Sequence, residues 1–253
     1  MVKKIKSFDS HVLENLVEDI ISNSSPHRSW DVPKEEWSYY QEWNRAIFMH
    51  WEVSYEDLRP LVPSELEIDS FEGTYWVSIV AFTMEKIRPA YLPYFSPISN
   101  FHEINVRTYI RDKDKSGVYF LNIEAEKAVS VFLSRKLSGL PYEKSDIVRG
   151  NNFYRSHNSK KGFELDVEFE IGPKITEKTP LMLWLTERYS LYLEEEGEVY
   201  LYEIQHPEWD INEIEIESLK TNYVIGNLDF NREPDLVQYS PGVKVLAWGS
   251  EKI

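Results

Sequence analysis

The segment FHEINVRTY, residues 101–109, concentrates side chains that could do chemistry. Read as a strand, it sends His102 and Ile104 to one face and Glu103, Asn105, Arg107 and Tyr109 to the other. An acid, an amide, a guanidinium and a phenol on one face make a pocket wall. The other reading is a solvated sheet face, with Glu103 and Arg107 as a structural ion pair. In a pocket, Arg107 would be one of the ligand-binding groups. Glu103 is then the candidate general acid or base, since burial raises a carboxyl pKa toward neutrality. Tyr109, and Tyr119 in the following GVYFLNIEA, would each add an apolar wall with one directed hydroxyl.

Other chemistries find less support. Cysteine is absent, which removes disulfides, thiolate metal sites and cysteine nucleophiles. The histidines show no HxH or HExxH spacing, so no metal is expected. There is no GxSxG, P-loop or GxGxxG, and no cofactor is expected. A net charge of −15 repels phosphate backbones and anionic lipid surfaces alike. No segment approaches the roughly 18 apolar residues of a membrane span. The basic start MVKKIKSFDS is not followed by an apolar run of signal-peptide length. These features predict a soluble, cytoplasmic protein with a small-molecule ligand and neither nucleic-acid nor membrane partners. Homo-oligomerisation through an aromatic-rich surface is a further expectation.

The elements that must position these residues are mostly strands. Residues 1–40 read as a helix, SHVLENLVEDIIS, and a linker broken by Pro26 and Pro33. Residues 41–253 read as one domain. AIFMHWEV and TYWVSIVAFTM are strand-like, and INVRTYIRD and GVYFLNIEA make a hairpin around KDKS. PAYLPYFSPIS, with three prolines, is a loop or lid. A helix is predicted from about Glu124 to Leu137, stopped by Gly139 and Pro141. FELDVEFEI alternates without a fault, and SPGVKVLAW is a closing strand. Many strands with two or three helices predict a single α+β domain on a curved antiparallel sheet or barrel.

The segments LRPLVPSELEID, NVRTYIRD, GVYFLNIEA, RKLSGLPY, LTERYSLY, IQHPEW and SPGVKVLAW, in that order and spacing, resemble the YqjF-like family of uncharacterised bacterial proteins. That family is in turn similar to acetoacetate decarboxylase, which implies a β-barrel-like sheet around a central pocket. In the decarboxylases a Pro-Lys-Lys follows the helix stop, and its first lysine forms a Schiff base whose activation is a worked example of amine catalysis. Here Tyr142 and Glu143 follow Pro141. Tyrosine cannot form an imine, and Glu143 would favour a protonated neighbour. Lys144 would sit about 6.5–7 Å beyond Tyr142 on the same face, beside an acid, where a solvated surface lysine is the plainer reading. The resemblance also implies that Arg45, in WNRAIF, helps hold a substrate carboxylate.

Three functional readings follow. One is acid–base chemistry on a carbonyl or carboxylate compound, with Arg45, Arg107, Tyr109 and Tyr119 binding and Glu103 and Tyr142 catalytic. The second is a binding protein for a small organic acid that keeps the cavity without the lysine. The third is an interaction module using its acidic surface and N-terminal helix.

Overall fold

The computed structural model describes residues 10–22, 26–127 and 143–253. Tyr142 and most of the helix predicted before it lie outside the described residues. Glu124, expected at that helix's start, instead lies at the end of a strand.

In chain order, α1 (Ser10–Ser22) precedes β1 (Tyr39–Val53). Next come α2 (Tyr55–Leu58), β2 (Glu67–Ile68), β3 (Tyr75–Pro89) and the single turn α3 (Ser96–Ser99). The predicted hairpin is β4 (Phe101–Asp112) with β5 (Lys115–Ala125). Then follow β6 (Glu143–Lys144), β7 (Asp146–Arg149), β8 (Phe153–Asn158) and β9 (Phe163–Lys174). After α4 (Pro180–Thr186) run β10 (Ser190–Glu195), β11 (Glu198–Gln205) and β12 (Asn212–Asn222). The small pair β13 (Val224–Ile225) and β14 (Leu228–Asp229) leads to β15 (Leu236–Lys252).

Local chemistry explains several boundaries. Ser54 caps α2 by accepting from the Asp57 amide at 3.1 Å, and the acids Glu56 and Asp57 sit at its positive end. Thr179 caps α4 in the same way, and Pro180 opens that helix with its φ already set. In β9, Leu165, Val167 and Phe169 are buried on one face, as their alternation predicts.

Strands β1, β3, β4, β5, β10, β11 and β15 pair in that order, and β15 returns to β1, closing a seven-stranded barrel. Neighbours are antiparallel except β5 with β10, so the barrel is mixed. Closure is possible because β15 is long: it pairs with β1 over Leu236–Ala247 and with β11 over Leu246–Lys252. Where β15 crosses β1, Gly242 is required. Its φ is 135°, and a Cβ there would lie 2.6 Å from the Trp43 carbonyl oxygen.

A second leaf, β12–β9–β8–β7, branches from β15. The wall formed by β1, β3 and β4 therefore has two buried faces. Ile47, Ile79, Ala81, Ile104 and Val106 pack toward the leaf with Leu165, Val167 and Phe169. Phe48, Val80, Phe82, Met84 and Phe101 point into the barrel with Ile123 and Trp209. Outside, Ile20 of α1 is buried in a cluster with Trp37, Tyr40, Leu246 and Trp248, so the N-terminal helix packs on this domain.

Candidate functional site

The barrel interior holds a cavity of about 180 Å³. Aromatic rings from several strands form its walls, among them Trp43, Phe48, Phe82, Phe101, Phe120 and Trp209. The proline-rich loop covers one side: Pro93, Phe95 and Ile98 line the cavity, while Tyr91, Leu92 and Tyr94 on the same loop are exposed. Sequence alone gave no sign which aromatic residues would meet here. The cavity lies below the roughly 300–1,000 Å³ of drug-sized pockets.

Gln41, Arg88 and Ser99 each bring a polar group to the wall, and one face of β4 brings three. Glu103, Asn105 and Arg107 of β4 all line the cavity, at 3%, 4% and 8% exposure. Alternation holds through β4, which is why the three stay on one side. Asn105 donates from Nδ2 to Glu103 Oε1 at 3.3 Å. Arg107 stands two residues beyond Asn105, and four residues of strand separate its Cα from that of Glu103 by about 13 Å. The Glu103–Arg107 ion pair is therefore not formed. Arg107 instead lies with its guanidinium carbon 5.7 Å from the Phe48 ring centroid. Among the described residues it has no carboxylate partner. Burial holds its pKa below the usual guanidinium value.

One rung further along the barrel lies a polar floor. Tyr109 is fully buried, its hydroxyl 2.5 Å from Ser78 Oγ, and Ser78 Oγ is 2.6 Å from His50 Nδ1. Gln238 meets His50 Nε2 at 3.0 Å. Burial, then Arg107, pushes His50 well below the ordinary imidazole pKa. Burial raises Tyr109, with Arg107 opposing. Tyr109, expected to bind a ligand, thus belongs to this floor and does not itself line the cavity.

Two more expected pocket residues lie elsewhere, for one physical reason. β1 bulges after Asn44, where Arg45 takes φ 54° and the register jumps from Asn44/Thr83 to Ile47/Ala81. Trp43 faces the cavity, but beyond the bulge Ala46 and Phe48 take that face. Arg45 leaves toward the leaf and donates from Nη2 to Thr83 Oγ1 at 3.1 Å. A second bulge shifts β5 between Val106/Asn122 and Arg107/Phe120. Phe120 consequently joins Arg107 on the cavity wall, and Tyr119 pairs with Thr108 on the opposite face. Burial, with Glu194 nearby, pushes the Tyr119 phenol up to about 12.

Near Arg45 the leaf contributes Arg149, which the sequence reading missed. Its signal was the alternation of β7: Ile147 is buried, so Arg149 follows it inward. Burial lowers Arg149 to about 10, and Arg45 adds to the effect. Its guanidinium sits 5.4 Å from the Tyr154 ring centroid, on the wall's far side from the cavity.

The chain after the undescribed segment carries no buried amine. Lys144 is 57% exposed in its side chain and pairs with Asp146 at 3.6 Å. Glu143 pairs with Lys160 at 3.2 Å and Lys161 at 3.6 Å. Glu124, beside β6, is a buried carboxylate that accepts from Asn122 at 2.6 Å and from Asn158 and Tyr223 at 3.1 Å. Among the described residues no lysine lines the cavity and no three metal-ligating side chains come together. No helix among them is long and apolar enough to cross a membrane.

A closed mixed barrel with a packed second leaf is the fold of acetoacetate-decarboxylase-like proteins. The structure of acetoacetate decarboxylase from Legionella pneumophila matches with a TM-score of 0.58 at 13% identity, covering 89% of this chain and 92% of that one. The enduracididine biosynthesis enzyme MppR complexed with pyruvate matches with a TM-score of 0.54 at 10% identity, covering 90% and 94%. Identities this low show the fold alone. Residues 40–244 match the DUF2071 family of uncharacterized conserved proteins. The chain is also 32% identical over 229 residues to the uncharacterized protein YqjF of Bacillus subtilis (strain 168), covering 87% of this chain and 95% of that one. The protein belongs to this family.

Proposed function

We propose that the protein binds a small organic carboxylate inside the barrel, with Arg107 as its anchor and Glu103 as the group that moves a proton on it. The observation that carries this reading is Arg107 itself. A guanidinium taken out of water without a counter-ion costs several kcal/mol, which is retained in a fold only where something repays it. A ligand carboxylate would supply the missing charge and two aligned acceptors. The exposed, paired Lys144 supports proton transfer over imine chemistry.

A thermal-shift screen of small acids against their uncharged amides tests the anchor. Acids, and not amides, are expected to raise the melting temperature, since a ligand at 100 times its Kd stabilises by about 2.7 kcal/mol. Acids that shift Arg107→Met as strongly as the wild type would overturn the reading. The wholly non-catalytic alternative is favoured by the same cavity if a bound acid exchanges none of its carbon-bound hydrogen with deuterated water.

A further inference from the structure

We infer that the acid held in this cavity carries a hydroxyl within one or two carbons of its carboxylate, on an apolar body. The inference rests on the reading of the cavity as a carboxylate site. Two buried atoms on the same strand face point to it. Arg107 Nε has no acceptor, and Asn105 Oδ1 has no donor. Asn105 donates from Nδ2 to Glu103 Oε1, which leaves its Oδ1 as the open atom whenever Glu103 is ionised.

These orphans are complementary. A plain carboxylate answers Arg107 and leaves the amide oxygen dry. A keto acid does no better, because its carbonyl only accepts. A hydroxyl donates to Asn105 Oδ1 while the neighbouring carboxylate faces Arg107. An ammonium also donates, but it would have to be stripped of water close to the Arg107 charge, whose field already reaches His50 and Arg188. The remaining wall is mostly aromatic and aliphatic, with Gln41, Arg88 and Ser99 the other polar side chains on it, and suits a branched or ring-bearing tail. Along the strand the order is Arg107, Asn105, Glu103, so the carbon beyond the hydroxyl lies toward the carboxyl of Glu103.

Calorimetric titration with one matched series tests this: isocaproate, α-ketoisocaproate, α-hydroxyisocaproate and β-hydroxyisocaproate. One of the hydroxy acids is expected to bind about tenfold tighter than the keto and unsubstituted acids, a difference of about 1.4 kcal/mol. Asn105→Leu is expected to erase that preference while isocaproate still binds. The wild-type ranking stands without any variant having to fold. Equal binding by all four acids, lost in Arg107→Met, would overturn the hydroxyl and leave the carboxylate site standing. Tighter binding of leucine than of either hydroxy acid would overturn it too. No binding of any acid, or binding indifferent to Arg107→Met, would remove the carboxylate site itself.

Discussion

Arg188 has the carboxylate of Asp69 at 2.8 Å, whereas Arg107, buried within its field, has no carboxylate partner among the described residues. Both guanidiniums are held below their usual pKa by burial, but only one is compensated. The contrast is the one on which the proposed role of Arg107 as a carboxylate anchor rests.

Substitution should read that difference directly. Arg107→Met removes an uncompensated buried charge and is expected to stabilise the ligand-free protein by about 1–3 kcal/mol. In a protein of this size that corresponds to roughly 2–4 °C per kcal/mol. Arg188→Met leaves the buried Asp69 carboxylate only the half-exposed Arg111, at 3.2 Å, and is expected to destabilise by up to about 3–5 kcal/mol. Paired melting curves check both signs. Destabilisation of similar size in the two variants would mean that Arg107 is as well compensated as Arg188.

Acid should weaken the fold through its histidines. Burial holds His50, His102 and His206 below the ordinary imidazole pKa, with Arg107 contributing at His50 and His206 and Arg149 at His102. The unfolded chain takes up protons from about pH 6.5 downward, while these folded imidazoles resist them. The unfolded state binds more protons in that window, so stability rises with pH there and is lost on acidification. Each such histidine contributes at most about 1.4 kcal/mol per pH unit. Melting temperatures between pH 7 and 5.5 should fall, and less steeply in His50→Gln. A flat wild-type profile would contradict the neutral, buried state of these rings.

Lys144 should be dispensable. Its pair with Asp146 is exposed on both sides, and such pairs contribute about 0–1 kcal/mol. Lys144→Ala is expected to melt within about 1 °C of the wild type, and borohydride treatment with keto acids to leave no adduct. Mass spectrometry of the treated protein decides it: a covalent adduct at Lys144 would restore the imine chemistry that the sequence argues against.

How far the site was legible follows from where the strands keep their alternation. β4 has no bulge on its own side, so the shared face of Glu103, Asn105, Arg107 and Tyr109 could be read from period two alone. Arg45 and Tyr119 could not, because each lies at or beside a bulge that moves its strand's parity by one residue. The bulge in β1 rests on a positive φ at an arginine, a residue type that gives no warning of one. The barrel itself was expected from the many strands and the family resemblance, but which strand closes it was not, because closure depends on β15 pairing on both its edges, a long-range contact that no local pattern encodes. The leaf's Arg149 was visible in principle and went unread, since an arginine in a short alternating strand resembles a solvated one.

Glu103 offers the sharpest test of chemistry as opposed to binding. Its carboxyl is buried in the cavity wall, with Asn105 donating to it and, on the far side, the Tyr154 hydroxyl donating to the Glu103 main-chain carbonyl at 2.8 Å. The backbone is thus pinned while the side chain faces the ligand space. Glu103→Gln keeps the shape, and its amide can turn an oxygen toward Asn105 Nδ2, so binding of acids should change by less than about threefold, ~0.7 kcal/mol. Proton movement should not survive, because an amide neither takes nor gives a proton at neutral pH, and positioned acid–base groups contribute about 10²–10⁴-fold. Deuterium incorporation into the carbon-bound positions of a bound acid, followed by NMR, is expected in the wild type and lost in the variant. Exchange of equal rate in both would move the proton-transfer role away from Glu103, while loss of binding in the variant would make its carboxylate part of the ligand's grip.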